Sequence, residues 1–155
     1  MKAYQDASLA PVRRAKAHLE EMTLAEKIGQ LNQRLYGFRI YERKCVNGED
    51  TIELSEEFCQ EVEKYSGLGV LYGLYRADPW ADKNYETGLT GVLSKKAYNQ
   101  VQRYVLEHSR LGIPVMMSSE CPHGHQALDG YLLPVNLLAG ATFDPAMVRA
   151  AYRVS

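Results

Sequence analysis

Residues 68–75 read LGVLYGLY and residues 113–118 read IPVMMS, and these two short apolar runs decide the fold class. Glycines bound the first run, and the second has a proline near its start, a position that a strand tolerates. Each run predicts a buried strand. Residues 94–108 between them carry apolar side chains at helical spacing, with Ser94 as the expected cap. The order strand, loop, helix, strand predicts parallel strands joined by a crossover helix.

The chain before residue 67 reads as helical. Residues 11–22 are rich in helix formers. Thr23 stands three residues before Glu26, the spacing of a capping box, and predicts the start of a second helix. Its apolar positions recur at helical spacing and predict a stripe that packs on another layer. The stripe consists of Leu24, Ile28, Leu31 and Leu35.

Weaker patterns complete the assignment of local structure. Residues 36–51 are polar and irregular, with Asn47 and Gly48 as a turn. Ser55 is a candidate cap for a helix that ends near Gly67. Residues 132–139 form a third, weaker apolar run. Asp144, followed by proline, predicts the start of a last helix.

These elements give an α/β fold class. We expect residues 1–155 to form the N-terminal portion of a (β/α)8-type barrel, incomplete in this chain, since a closed barrel needs about 250 residues. Residues 1–66 would be a helical lead-in, and residues 67–155 the first β/α units. So few parallel strands leave open sheet edges. Either the remainder of the barrel or self-association is therefore expected to cover them.

Composition excludes several classes of protein. The 155 residues carry 18 Lys and Arg against 19 Asp and Glu, a net charge of −1, with 46% hydrophobic residues. A basic excess typical of nucleic-acid binding is missing, and so is an apolar run long enough to cross a membrane. The first residues resemble no signal peptide. Three cysteines are too few for a disulfide scaffold, so free thiols and a cytoplasmic location are expected.

In a parallel α/β fold, function resides in the loops after the strands. The first loop contains Arg76, Asp78 and Trp80, and the second begins at Glu120. A carboxylate at that position can accept hydrogen bonds from sugar hydroxyls or act as a base, although a solvated or helix-capping acid fits as well. Trp80, the only tryptophan, suits a platform for a sugar ring. The alternative is an aromatic side chain packed under its loop.

Cys121, His123 and His125 could point to one side of an extended segment, as metal ligands do. The alternative is that one histidine is hydrogen-bonded to the scaffold and the other lines the cleft. That alternative is favoured because the C-x-x-C pattern of zinc sites is missing. Phosphate-binding loops and nucleophile elbows are also missing from the sequence. Neither a metal nor an organic cofactor is therefore expected.

Four ordered segments together resemble the N-terminal part of glycoside hydrolase family 3, which includes β-glucosidases and β-xylosidases. The resemblance spans nearly the whole chain, and its most specific part is MTLAEKIGQL at residues 22–31. The other segments are YQDASL at 4–9, SRLGIP at 109–114, and the series ECPHG at 120–124, LP at 133–134 and ATFDP at 141–145.

The resemblance implies a retaining, exo-acting β-glycosidase, most simply a β-glucosidase, whose substrate is a terminal β-linked sugar. Glu120 matches the acidic residue that binds hydroxyls in subsite −1, where the family usually has aspartate. His123 and Gly124 match the pair that shapes this loop, and Arg76, Asp78 and Trp80 are further candidate contributors. The family's nucleophile and acid/base lie in later segments, so catalytic residues are not expected here. The alternative is a short, non-catalytic module, derived from a half barrel, that binds a sugar or a partner.

Overall fold

The computed structural model describes residues 2–154. Its helices are α1 (Pro11–Glu21), α2 (Leu24–Gln30), α3 (Glu56–Tyr65), α4 (Gly91–Glu107), α5 (Asn136–Gly140) and α6 (Pro145–Ala151). Its strands are β1 (Tyr41–Val46), β2 (Glu49–Leu54), β3 (Val70–Tyr72) and β4 (Met116–Ser118). Short 3₁₀ turns cover Ala3–Gln5 and Gly37–Arg39.

Strands β3 and β4 lie side by side and run parallel, with α4 as their crossover. The prediction of two parallel strands is confirmed. Val70 pairs with Met116, and Tyr72 pairs with Ser118. On the other side of β3, Tyr36 forms a parallel bridge with Tyr72. The extended chain at Tyr36, β3 and β4 therefore lie side by side, with β3 in the middle.

Strands β1 and β2 form an antiparallel hairpin in the region predicted to be irregular. Asn47 and Gly48 make its turn with φ of 53° and 81°, so the predicted turn is confirmed. The two strands of the hairpin were not predicted, because their residues are mostly charged and exposed and show no apolar pattern. Only Tyr41 and Ile52 of the two strands are buried.

The core lies where α3 and α4 pack around β3. Phe58 and Val62 of α3, Leu71 of β3, and Val101 and Val105 of α4 are completely buried. Burial of each such side chain contributes about 1.5–3 kcal/mol relative to exposure. The core therefore fixes β3 between two helices and holds the end of that strand in place.

The apolar stripe predicted for the second helix is wrong for the residues that lie in or next to α2, whereas Leu35, five residues beyond the end of α2, is buried in the core. Leu24, Ile28 and Leu31 are 75%, 47% and 87% exposed. The opposite face of α2 is the buried one, because Glu26 lies under Arg110 and Gly29 packs against Tyr65 of α3. The start of α2 is as predicted, since Thr23 and Glu26 form the capping box.

Three further expectations have different outcomes. Helix α4 begins earlier than predicted, after Thr90, so Ser94 lies inside the helix and does not cap it. The third apolar run, 132–139, overlaps the short helix α5 and forms no strand. Ser55 and Asp144 cap α3 and α6 as predicted, each accepting backbone N–H groups with its side chain.

Residues 131–154 add nothing to the buried core. They leave Leu137 and Phe143 87% and 92% exposed. Across residues 2–154 the strands form two separate two-stranded sheets, without a closed barrel. Within the same residues, every helix is too short or too polar to cross a lipid bilayer.

Gly69 allows the first residues of β3 to approach the end of α2. A Cβ atom there would lie 1.9 Å from the carbonyl oxygen of Gln30, which is backbone and cannot swing away. We expect Gly69→Ala to lower the free energy of unfolding by about 3 kcal/mol through overpacking. Gly140→Ala is the matched control, because its Cβ would meet no atom within 4 Å. Equal denaturation midpoints for the two variants would contradict this account.

The buried carboxylate of Glu26 predicts a loss of stability in acid. Hydrogen bonds from Arg110, working against burial, lower its pKa from 4.5 to about 2. The depressed pKa stabilises the fold above pH 4.5, and this contribution is lost as the pH falls from 4.5 toward 2. We expect Glu26→Gln to cost about 2 kcal/mol at neutral pH and to flatten the stability profile in that range. Denaturant unfolding from pH 2 to 7 measures both effects, and a profile unchanged by the substitution would contradict them.

Candidate functional site

The loops after β3 and β4 lie together at the common edge. The backbone N–H of Gly73 donates to the Ser118 carbonyl at 2.8 Å, continuing the strand pairing. Further along, the N–H of Ala77 donates to the Gln126 carbonyl at 3.0 Å. These bonds connect the loop of residues 76–80 to the loop that begins at Glu120. The sequence expectation that both loops share one face is thereby met.

A chain of polar side chains crosses this edge. The Tyr72 hydroxyl donates to Oε2 of Glu120 at 2.7 Å and accepts a hydrogen bond from Nη1 of Arg76. Arg76 also reaches Oε2 of Glu120, at 3.4 Å. Its Nε and Nη2 atoms bind Oδ2 of Asp78 at 2.8 and 2.7 Å. We call Tyr72, Arg76, Asp78 and Glu120 the polar chain.

Exposure changes along the polar chain. The side chains of Arg76 and Asp78 are 16% and 13% exposed, whereas that of Glu120 is 62% exposed. Gln126 and the Ala81 backbone also donate to Asp78, at 3.3 and 2.7 Å. The buried end is therefore saturated with hydrogen bonds, and the exposed end presents a carboxylate to solvent.

Three groups of the polar chain have shifted pKa values. Burial works against the charge of Arg76, but its hydrogen bonds to Asp78 and the negative charge of Asp78 raise its pKa overall. Burial opposes ionisation of Asp78, but hydrogen bonds from Arg76 and the Ala81 backbone hold its pKa below 3.8. Burial, together with the hydrogen bond to Glu120, raises the pKa of Tyr72 above 10. Asp78 is therefore charged at neutral pH, and Tyr72 keeps the proton that it donates to Glu120.

Trp80 closes one side of the site. The Arg76 guanidinium lies 4.5 Å from the centre of its ring, a cation–π contact. The rings of Tyr36 and Phe38 meet it edge-on at 5.1 and 5.0 Å. Trp80 is nevertheless 50% exposed. Both sequence interpretations are thus partly realised, because the ring packs against its neighbours and still offers surface to a ligand.

The remaining candidate, His123, is held through its backbone. Its carbonyl accepts from Leu133 at 2.6 Å, and the hydrogen bonds seen around Glu120 do not involve it. The ring of His125 lies edge-on to Tyr75, 6.3 Å away, next to the loop that contains Asp129. Among residues 2–154, no three histidine, cysteine or acidic side chains converge as metal ligands would.

Gly124 shapes the second loop. Its φ is +81°, and a Cβ atom would lie 2.0 Å from the Tyr131 carbonyl oxygen. The N–H of Asn136 also donates to the Pro122 carbonyl, at 3.0 Å. The loop is thus folded against residues 131–136.

Sequence reasoning missed Tyr72 and Tyr36. Both were read as part of a buried or irregular stretch, yet Tyr36 is 40% exposed and Tyr72 reaches Glu120 with its hydroxyl. Alternation could have singled out Tyr72. In the run 68–75, Leu71 points into the core, so its neighbour Tyr72 points to the opposite face.

An apolar hollow of about 250 Å³ lies elsewhere, between α5 and α6. Leu138, Met147 and Val148 line it, and Thr142 and Tyr152 supply the few polar atoms. A sugar needs several convergent hydrogen-bonding groups. The polar chain presents an exposed carboxylate held by two donors, whereas the lining of the hollow is almost entirely apolar, so we place the candidate site at the polar chain.

Comparison with known proteins relates the chain to glycosidases. Over 153 residues it is 28% identical to a protein of Formosa agariphila described as "Putative beta-xylosidase". The match covers 99% of this chain and 18% of that protein's length. A scan against protein-family models gave no match. The chain is thus distantly similar to one part of a glycosidase-related protein.

Arg76 is expected to hold the site together. Arg76→Ala leaves the mostly buried Asp78 carboxylate without its charged partner and uncovers one face of Trp80. We expect a loss of about 2 kcal/mol in the free energy of unfolding, and stronger quenching of Trp80 fluorescence by acrylamide. Trp80 is the only tryptophan, so its emission reports on this site alone. The exposed Arg103 of α4 supplies the control, Arg103→Ala, and identical quenching in both variants would contradict the role of Arg76.

Proposed function

We propose that this chain forms part of the sugar-binding site of a retaining, exo-acting β-glycosidase of glycoside hydrolase family 3. The observation that carries the proposal is the placement of Glu120. Its carboxylate leaves the end of a parallel strand, is 62% exposed, and is bound by Tyr72 and Arg76 through one oxygen. The family resemblance assigns the same residue to subsite −1, and the similarity to the Formosa protein supports a glycosidase.

The chemistry of the site suits a neutral sugar. An ionised carboxylate accepts hydrogen bonds only, so it pairs with the hydroxyl donors of a pyranose ring. Charge-assisted bonds of this kind are roughly twice as strong as neutral ones. Trp80 lies on Arg76 and Tyr36 lies edge-on to Tyr72, and both rings are exposed, so they add aromatic surface next to the two residues that bind the carboxylate, against which the C–H faces of a sugar can pack.

The charge of the polar chain narrows the substrate class. Arg76 contributes one positive charge, and Asp78 and Glu120 contribute two negative charges, which leaves a net charge of −1. Arg76 is engaged by both acids and is mostly buried. A uronic acid would bring a further negative charge to this site, so we propose that neutral sugars such as xylose or glucose bind in preference.

The same proposal implies that the parallel strands belong to a larger barrel. The chain segment at Tyr36, β3 and β4 would be three successive strands of a (β/α)8-type barrel, and their open edges would be covered by further strands. The parallel bridge at Tyr36 and the pairing of β3 with β4 support this order. The two catalytic carboxylates of a retaining glycosidase would then belong to later strands and to a following domain.

Sugar binding can be followed at Trp80, whose indole N–H gives a single NMR signal. We expect methyl β-xyloside or methyl β-glucoside to shift this signal saturably, with a dissociation constant of about 1–50 mM, because only part of a subsite is present. Methyl β-glucuronide should bind at least several-fold more weakly. Glu120→Gln should weaken binding of the neutral sugar about tenfold, since it removes a charged acceptor.

Glu107→Gln is the matched control, because Glu107 is an exposed carboxylate at the end of α4, and it should leave binding unchanged. The same protein should not hydrolyse an aryl β-xyloside or aryl β-glucoside. A Trp80 signal that stays fixed up to about 100 mM of either sugar, or that shifts equally in Glu120→Gln, would overturn the proposed site. Hydrolysis abolished by Glu120→Gln would overturn the assignment of Glu120 to binding alone.

A further inference from the structure

Glu120 is held through one of its two carboxylate oxygens. Both contacts that the structure shows for its side chain, from Tyr72 at 2.7 Å and from Arg76 at 3.4 Å, go to Oε2. An ionised carboxylate offers about four lone-pair positions over two oxygens. The other oxygen, Oε1, is therefore the one available to a ligand.

We propose that Tyr72 is a positioning residue, whose hydroxyl fixes the Glu120 carboxylate through Oε2 and so directs Oε1 to the hydroxyls of the bound sugar. The inference rests on the proposed function and deepens it. It assigns Tyr72 a role through Glu120, without direct contact between Tyr72 and the sugar.

The backbone position of Tyr72 makes it suited to this role. Tyr72 is the last residue of β3 and pairs with Ser118 on one side and with Tyr36 on the other. Its neighbour Leu71 is completely buried. A tyrosine anchored in this way has only two side-chain torsions left, so its hydroxyl is a well-fixed donor.

The Tyr72 hydroxyl is fixed in turn by Arg76. The guanidinium donates to that hydroxyl with Nη1 and holds Asp78 with Nε and Nη2. Asp78 is bound by the backbone of its own loop at Ala81 and by Gln126 of the other loop. Because Arg76 can only donate, the Tyr72 oxygen must accept from it, and the hydroxyl proton is left for Glu120.

The length of the Glu120 side chain explains why such a residue is needed. An exposed glutamate loses up to about 1.5–2 kcal/mol of conformational entropy when it is ordered. A site that orders the side chain before binding removes this cost from the binding step. Tyr72 and Arg76 do so here, for a side chain one methylene longer than the aspartate usual in the family.

Tyr72→Phe tests the inference, because it keeps the aromatic ring in β3 and deletes only the hydroxyl. We expect binding of methyl β-xyloside or methyl β-glucoside, followed at the Trp80 indole signal, to weaken about fivefold to tenfold, while the denaturation midpoint changes little. Tyr98→Phe is the matched control. Its hydroxyl is bonded to Gln102 on the exposed side of α4, away from the polar chain.

Two readouts separate positioning from a merely structural role. In the Glu120→Ala background, Tyr72→Phe should have no further effect on sugar binding, since its effect acts through Glu120. Carbon-detected NMR of the Glu120 carboxyl should show a changed chemical shift in Tyr72→Phe but not in Tyr98→Phe, because the carboxylate loses the hydrogen bond from Tyr72. This comparison requires no ligand and therefore reports on the contact independently of sugar binding.

The outcomes distinguish this inference from the proposed function. If the unmodified chain binds neither sugar, the proposed function fails, whatever the carboxyl chemical shift shows. If the chain binds sugar and Tyr72→Phe binds it equally well, the positioning role alone is overturned. An equal loss in both Glu120 backgrounds would also overturn it, because Tyr72 would then act on the sugar directly.

Discussion

The parallel pairing of β3 with β4 is the constraint on which the rest of the structure depends. It places Tyr72 beside Ser118, so the loops that follow both strands begin at one edge. Parallel strands cannot be joined by a tight turn, and α4 provides the required crossover while burying Val101 and Val105 in the core. The helix that makes the pairing possible thus also supplies much of the apolar burial that stabilises it.

A second constraint locks the strands to the leading helices. The backbone of Gln30 packs directly against Gly69, and its carbonyl would collide with the side chain of any larger residue at position 69. Arg110, just before β4, binds the buried carboxylate of Glu26 and the carbonyl of Glu21 at the end of α1. One close backbone contact just before β3 and one charged contact before β4 therefore link both strands to α2, and Arg110 adds a link to α1.

The sequence predicted those parts of the fold that depend on interactions between residues close together in the chain. The capping box at Thr23, the cap at Ser55, the turn at Asn47 and the two parallel strands were all predicted, because each depends on neighbouring residues or on short apolar runs. The orientation of α2 was not predictable in this way. Leu24, Ile28 and Leu31 are exposed because Arg110, 84 residues from Glu26, and Tyr65 of α3 bury the opposite face.

In the candidate site, too, some features were predictable from neighbouring residues and others depend on distant contacts. Arg76, Asp78, Trp80 and Glu120 were predicted as a group because strand ends meet at one edge, and the structure brings them together. The contact of Tyr72 with Glu120 joins residues 48 positions apart. It depends on the register of β3 against β4, which single-sequence patterns leave open when a run is apolar throughout.

The arrangement of the polar chain has a consequence for how selective such a site can be. Burial makes an unpaired Arg76 or Asp78 costly, so each is committed to the other and neither is free to follow a ligand. The exposed end of the polar chain is Glu120, where two donors restrain one carboxylate oxygen. The Glu120 carboxylate cannot move without breaking its bonds to Tyr72 and Arg76. A site built in this way can therefore distinguish ligands by the position of the hydroxyl that binds to this carboxylate.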